Sequence, residues 1–90
     1  MICQLAHSGN EVPGSPNLEP AWAPSAVPDP FGLNEIPKPM EKEDIQELIT
    51  SFVEAAMRAK EAGYDGVELK ACHDGVLRQF WSPSTNRRRE

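Results

Sequence analysis

An α/β fold, with one long amphipathic helix between two parallel strands, is predicted by three features of this sequence. A short apolar run closing in polar residues opens the chain at Met1–His7; a helix-period apolar stripe fills Glu43–Ala62; and a second short apolar run, Val67–Leu69, follows a Gly63 stop and an Asp65-Gly66 turn. Strands joined by a long crossover that contains a helix pair in parallel, so the two runs are expected to lie side by side in a sheet.

Residues 1–10 read as strand and turn. MICQLAH is a buried strand with Gln4, His7 and Ser8 at its polar end, and Gly9-Asn10 closes it. Residues 11–40 read as a proline-rich loop, because eight of the nine prolines fall between Pro13 and Pro39. Asp29-Pro30 and Lys38-Pro39 impose extended or turn geometry. Apolar anchors recur along it at Trp22, Val27, Phe31, Leu33 and Ile36, so the loop is expected to lie over a larger body rather than to wave free.

Residues 41–63 are the helix. Ile45, Leu48, Ile49, Phe52, Val53, Ala56 and Ala59 recur at i, i+3, i+4 spacing, which makes one stripe expected to be buried. Glu41, Glu43 and Asp44 crowd the first turn and Arg58 and Lys60 the last, complementing the macrodipole. Gly63 is the left-handed cap. Residues 64–90 then hold the second strand and an active-site loop, with a helical turn at Leu77–Ser82 whose Phe80 and Trp81 are expected to pack.

Composition bounds the function. With 90 residues, 26 % charged and net charge −5, the chain has no basic face for nucleic acid or an anionic membrane. Arg87-Arg88-Arg89 reads as a solvated tail or a motif cut short. Cys3 and Cys72 form neither a CxxC pair nor a disulfide framework, so reduced, buried thiols are expected. Met1–Ala6 is too short for a signal peptide, and no apolar run approaches the ~20 residues of a membrane span. A cytoplasmic protein is expected.

Consecutive parallel strands place their carboxyl ends together, which is where ligands bind in α/β proteins. Gln4 and His7 are therefore expected beside Lys70 and His73. The Gln4 carboxamide is either a satisfied core amide or a match for a heterocycle edge bearing both donors and acceptors. Lys70 either reaches solvent or, partly buried, faces an anionic ligand. His73 reads as a hydrogen-bonding histidine. No metal is predicted, since Asp74 is the only nearby carboxylate and no H-x-x-H or H-x-x-x-H spacing occurs. Cys72 as a nucleophile would rest only on its nearness to His73.

Several separated segments in order resemble one family. Gln4-Leu5-Ala6-His7-Ser8-Gly9, Ala23-Pro24-Ser25-Ala26, Ala59-Lys60-Glu61-Ala62-Gly63-Tyr64-Asp65-Gly66-Val67-Glu68, His73, Gln79-Phe80, Ser82-Pro83 and Asn86-Arg87-Arg88 are similar to the old yellow enzyme group of FMN-dependent oxidoreductases. That group includes ene-reductases, dienoyl-CoA reductases and trimethylamine dehydrogenase-like demethylases.

The resemblance implies a TIM (β/α)8 barrel, of which this chain would be a fragment from about strand 3 to the loop after strand 4. It implies FMN as cofactor, NADH or NADPH as reductant and a small-molecule substrate. Gln4 matches the glutamine that binds the flavin pyrimidine edge, and Lys70 would lie beside the flavin. Lys70 and His73 match the pair that holds the substrate's oxygen, with lysine departing from the usual histidine. The family's proton-donating tyrosine falls on Gly75, which argues against ordinary enone reduction unless Lys70, Asp74 or water supplies the proton. Dienoyl reduction and amine demethylation stay open. Two strands of eight cannot close a barrel, so the ninety residues alone are expected to be inactive. The alternative is a small non-enzymatic interaction protein using its proline-rich loop and an exposed apolar helix face, with self-association through that face.

Overall fold

Residues 1–9, 20–28, 36–71 and 75–90 are described by the computed structural model of the chain. Along them run β1 (Ile2–Leu5), β2 (Trp22–Ala23), β3 (Lys38–Pro39), α1 (Lys42–Glu61), β4 (Gly66–Leu69) and α2 (Val76–Trp81). They divide into two units, one of Met1–Ala6 with Glu41–Lys70 and one of His7–Met40 with Ala71–Glu90.

In the first unit β1 and β4 pair in parallel, in register from Ile2 opposite Gly66 to Leu5 opposite Leu69. The expected α/β arrangement of two parallel strands and an intervening helix is therefore present. The Lys70 N–H donates to the Leu5 carbonyl at 3.0 Å and carries the ladder one residue past β4. At the start of α1 the Asp44 carboxylate accepts the Glu41 N–H at 3.0 Å, taking up a donor that the helix itself leaves orphaned. Its end is a Schellman motif around Gly63, whose φ of 95° is open to glycine. The Gly63 N–H reaches the Lys60 carbonyl and the Tyr64 N–H the Ala59 carbonyl, each at 3.1 Å.

Burial in this unit departs from expectation. Leu48 and Ala59 are buried and Ile45, Phe52 and Ala56 half-buried, but Ile49 and Val53, expected in the buried stripe, are 50 % and 53 % exposed, and Met57 extends them at 58 %. Two strands make a sheet only about 10 Å wide, too narrow to cover an apolar stripe spanning ~100° of the helix. The first strand, expected to be buried, is only half so. Cys3, a free thiol, and Leu5 are partly covered while Ile2 and Gln4 are exposed, because α1 packs on this sheet from one side.

Among its described residues the second unit is less regular and more buried. Within the segment read as a loop, Trp22–Ala23 pairs in parallel with Lys38–Pro39. The N–H groups of Lys38 and Met40 donate to the Ala21 and Ala23 carbonyls at 2.7 and 2.8 Å. Pro39, between these donors, sits where the ladder asks for no N–H. The Lys38 ammonium lies 5.9 Å from the Trp22 ring centroid, within cation–π range.

Side chains satisfy several other carbonyls among this unit's described residues. Thr85 Oγ1 donates to the Gln79 carbonyl and Asn86 Nδ2 to the Phe80 carbonyl, each at 2.8 Å, so the end of α2 is capped from downstream. Arg88 Nη1 donates to the carbonyls of Pro24 (3.1 Å) and Met40, and its Nε to Glu90 at 2.6 Å. The arginine run is thus not simply a solvated tail, since Arg88 is a partly buried staple. Trp81 departs from expectation in the other direction, being 71 % exposed, whereas Phe80 is half-buried. The anchors Phe31 and Leu33, the Asp29-Pro30 turn and Asn10 lie outside the described residues.

Candidate functional site

Side chains alternate along a strand, so Gln4, paired directly with Glu68, shares one face of the sheet with it. Lys70 follows Glu68 by two residues and is still held in the ladder through its N–H, which keeps it on the same face. Gln4 and Lys70 thus stand on one face toward the carboxyl ends of the two strands, with Glu68 directly opposite Gln4. Gln4 Nε2 donates to Glu68 Oε1 at 2.6 Å, and Lys70 is half-buried.

His7 belongs to the second unit. His73, with Cys72 and Asp74, lies outside the described residues. Burial lowers the His7 pKa below its ordinary 6.5, because a buried imidazolium loses its hydration. Its Nδ1 accepts the Gly9 N–H at 3.0 Å, so the neutral ring carries its proton on Nε2. The His7 carbonyl accepts the Val76 N–H at 2.7 Å.

Two close approaches surround that segment. A Cβ on Gly9 would stand 2.2 Å from Gln79 Oε1, and Gln79 is fully buried with its Nε2 donating to the Ser8 carbonyl at 3.1 Å. Gly75 has φ 96° and ψ 172°, a region essentially confined to glycine, and a Cβ there would lie 3.0 Å from the His7 carbonyl oxygen. A tyrosine, or any other residue with a Cβ, would therefore be strained at this position.

Chemically, the shared face of β1 and β4 offers an amide, an anion and a cation. Gln4 retains Oε1 as acceptor and one N–H as donor after serving Glu68. Among the described residues no group of three His, Cys, Asp or Glu side chains could hold a metal. A concavity of about 320 Å³ lined by Ala56, Lys60, Tyr64, Asp65, Gly66 and Val67 lies at the opposite end of β4 and includes none of Gln4, Glu68 and Lys70. Sequence reading missed Glu68 and Arg88. Strand alternation back from Lys70 points to the first; nothing local points to the carbonyl partners of the second.

The NADH:flavin oxidoreductase / NADH oxidase family matches residues 1–90. An NADH:flavin oxidoreductase of Gibberella zeae is 45 % identical over 83 residues, covering 92 % of this chain and 20 % of its own length. The NADPH dehydrogenase of Geobacillus thermodenitrificans is 42 % identical over 92 residues, covering 97 % and 24 %. The solved histamine dehydrogenase from Rhizobium sp. 4-9 superposes with a TM-score of 0.89 at 37 % identity, over 99 % of this chain and 14 % of that one. The chain thus spans a quarter or less of the length of these relatives.

Proposed function

We propose, since this chain belongs to the NADH:flavin oxidoreductase / NADH oxidase family, that it forms part of an FMN-dependent NAD(P)H oxidoreductase acting on a small organic substrate. In this reading it is the segment of a TIM barrel from about the third strand to the loop after the fourth. One observation carries the reading: Gln4 and Lys70 share a face at the carboxyl ends of two parallel strands, where barrels of this class build their sites.

The donor set fits the cofactor. A flavin's pyrimidine edge carries both carbonyls and an N–H, and Gln4 keeps one acceptor and one donor to meet them. When bound, FMN supplies hydride transfer between the nicotinamide and the substrate. Lys70 places a positive charge on the cofactor side, suited to negative charge that grows there during the reaction. Lys70 with His73 would hold the substrate's oxygen. Because glycine stands at position 75, in a backbone conformation that strains any other residue, the proton that enone reduction needs would come from another acid or from water. Dienoyl reduction, which also needs a proton, and amine demethylation both stay open on the same frame.

The exposed stripe of Ile49, Val53 and Met57 has a place in this reading, as the helix face that neighbouring barrel helices cover. Burying each such side chain stabilises by about 1.5–3 kcal/mol. A free-standing interaction protein is then not needed to account for it. The ninety residues alone should not turn over.

Grafting them in place of the matching segment of the Geobacillus dehydrogenase tests the proposal. The graft should retain FMN and oxidise NADPH, while the ninety residues mixed with FMN and NADPH should not. Turnover by the short chain would refute the need for the remaining barrel. A folded graft devoid of flavin would refute the flavin reading.

A further inference from the structure

The bond between Gln4 and Glu68 settles what a glutamine alone leaves open. Its carbonyl and NH2 have nearly the same shape, and either can face a ligand. Glu68 stands directly opposite in the strand register, and an ionised carboxylate accepts hydrogen bonds but donates none. At 2.6 Å only Nε2 can face it. The reverse orientation would set two acceptors against each other at hydrogen-bond distance.

From this geometry we propose that Glu68 is a positioning residue. Acting through Gln4, it fixes the order in which acceptor and donor are presented to the pyrimidine edge of FMN, without itself touching the flavin. The inference rests on the flavin reading given above. An amide presented the wrong way round would set carbonyl against carbonyl and N–H against N–H. Lys70, on the same face, only donates and cannot replace Glu68 as the partner of Nε2. Register pairing makes the arrangement a property of the backbone: any chain that pairs Gln4 with residue 68 sets the two side chains side by side.

Two measurements test it. In the ninety-residue chain, nitrogen-15 NMR should show one Gln4 Nε2 proton shifted and protected from exchange, and Glu68→Ala should abolish this. Glu68→Gln keeps the size but can also donate, so Gln4 should then populate both orientations. In the grafted dehydrogenase, Gln4→Ala should weaken FMN binding about tenfold, through loss of the amide's hydrogen bonds to the flavin, and Glu68→Ala about threefold, through an amide left free to turn. The double variant should be no weaker than Gln4→Ala, because Glu68 acts only through Gln4.

Additive losses in the double variant would overturn the positioning role, as would a Gln4 amide indifferent to Glu68→Ala. Unchanged FMN affinity in Gln4→Ala would instead overturn the flavin reading of Gln4. The NMR signals would then still report whether Glu68 holds the amide.

Discussion

The unit of Met1–Ala6 and Glu41–Lys70 is the more regular of the two, yet it exposes Ile2, Ile49, Val53, Met57, Val67 and Leu69. The unit of His7–Met40 and Ala71–Glu90, with little regular structure among its described residues, holds Ala23, Met40, Val76 and Gln79 at 2 % exposure or less. The difference follows from how each backbone satisfies its polar groups. Helix and strand ladders do so internally and leave their side chains waiting for neighbours. An irregular backbone has to draw on side chains, and Thr85, Asn86, Arg88 and Gln79 are pulled inward to its carbonyls. The regular unit is therefore a frame that fixes Gln4, Glu68 and Lys70 by register. The irregular one is a tethered body whose integrity depends on a few polar contacts.

If that contrast holds, the largest single-site effect belongs to the staple. Arg88→Ala strands the Pro24 and Met40 carbonyls and should destabilise by about 2–3 kcal/mol in urea unfolding. Arg88→Lys should recover only part, since it keeps the charge but not the guanidinium fork. A change below about 0.5 kcal/mol, the range of ordinary surface sites, would dissolve the distinction between the units.

Gly75→Tyr comes next. It restores the residue type found at this position in the old yellow enzyme group, but the backbone there is glycine-only, so it should destabilise by about 1–3 kcal/mol and add no enone reduction in the graft. Wild-type stability together with new enone activity would show that the loop re-forms freely and that the missing acid is a simple substitution.

The smallest effect concerns His7. Its folded pKa lies below the ordinary 6.5, so the unfolded chain takes up the proton first as pH falls. Stability from this group is complete above that value and declines as pH drops through it. His7→Gln should flatten the dependence. An unaltered pH profile in that variant would place the titrating group elsewhere.

Much of the frame was legible beforehand because it obeys periodic rules. The helix spacing from Ile45 to Ala59, the acidic first turn and the Gly63 stop led to α1, and the short apolar run after Asp65-Gly66, reached by a long helical crossover, led to β4 in parallel with β1. Period alone does not say how much neighbouring structure covers a stripe, which is why Ile49 and Val53 were expected to be buried. The proline-rich unit was far less legible. Arg88 reaches carbonyls 64 and 48 residues away in sequence, contacts that no local pattern encodes. At the site, residue types and family resemblance pointed to Gln4 and Lys70, whereas Glu68 emerged only once the register was known.

The central claim is that Gln4 meets the pyrimidine edge of FMN, and the N3–H of the flavin reports on it directly. In the grafted dehydrogenase reconstituted with FMN labelled with nitrogen-15 at N3, that proton should be shifted downfield and slow to exchange. Gln4→Ala should return it toward its position in free FMN. An N3–H signal that does not move on this substitution would contradict the account.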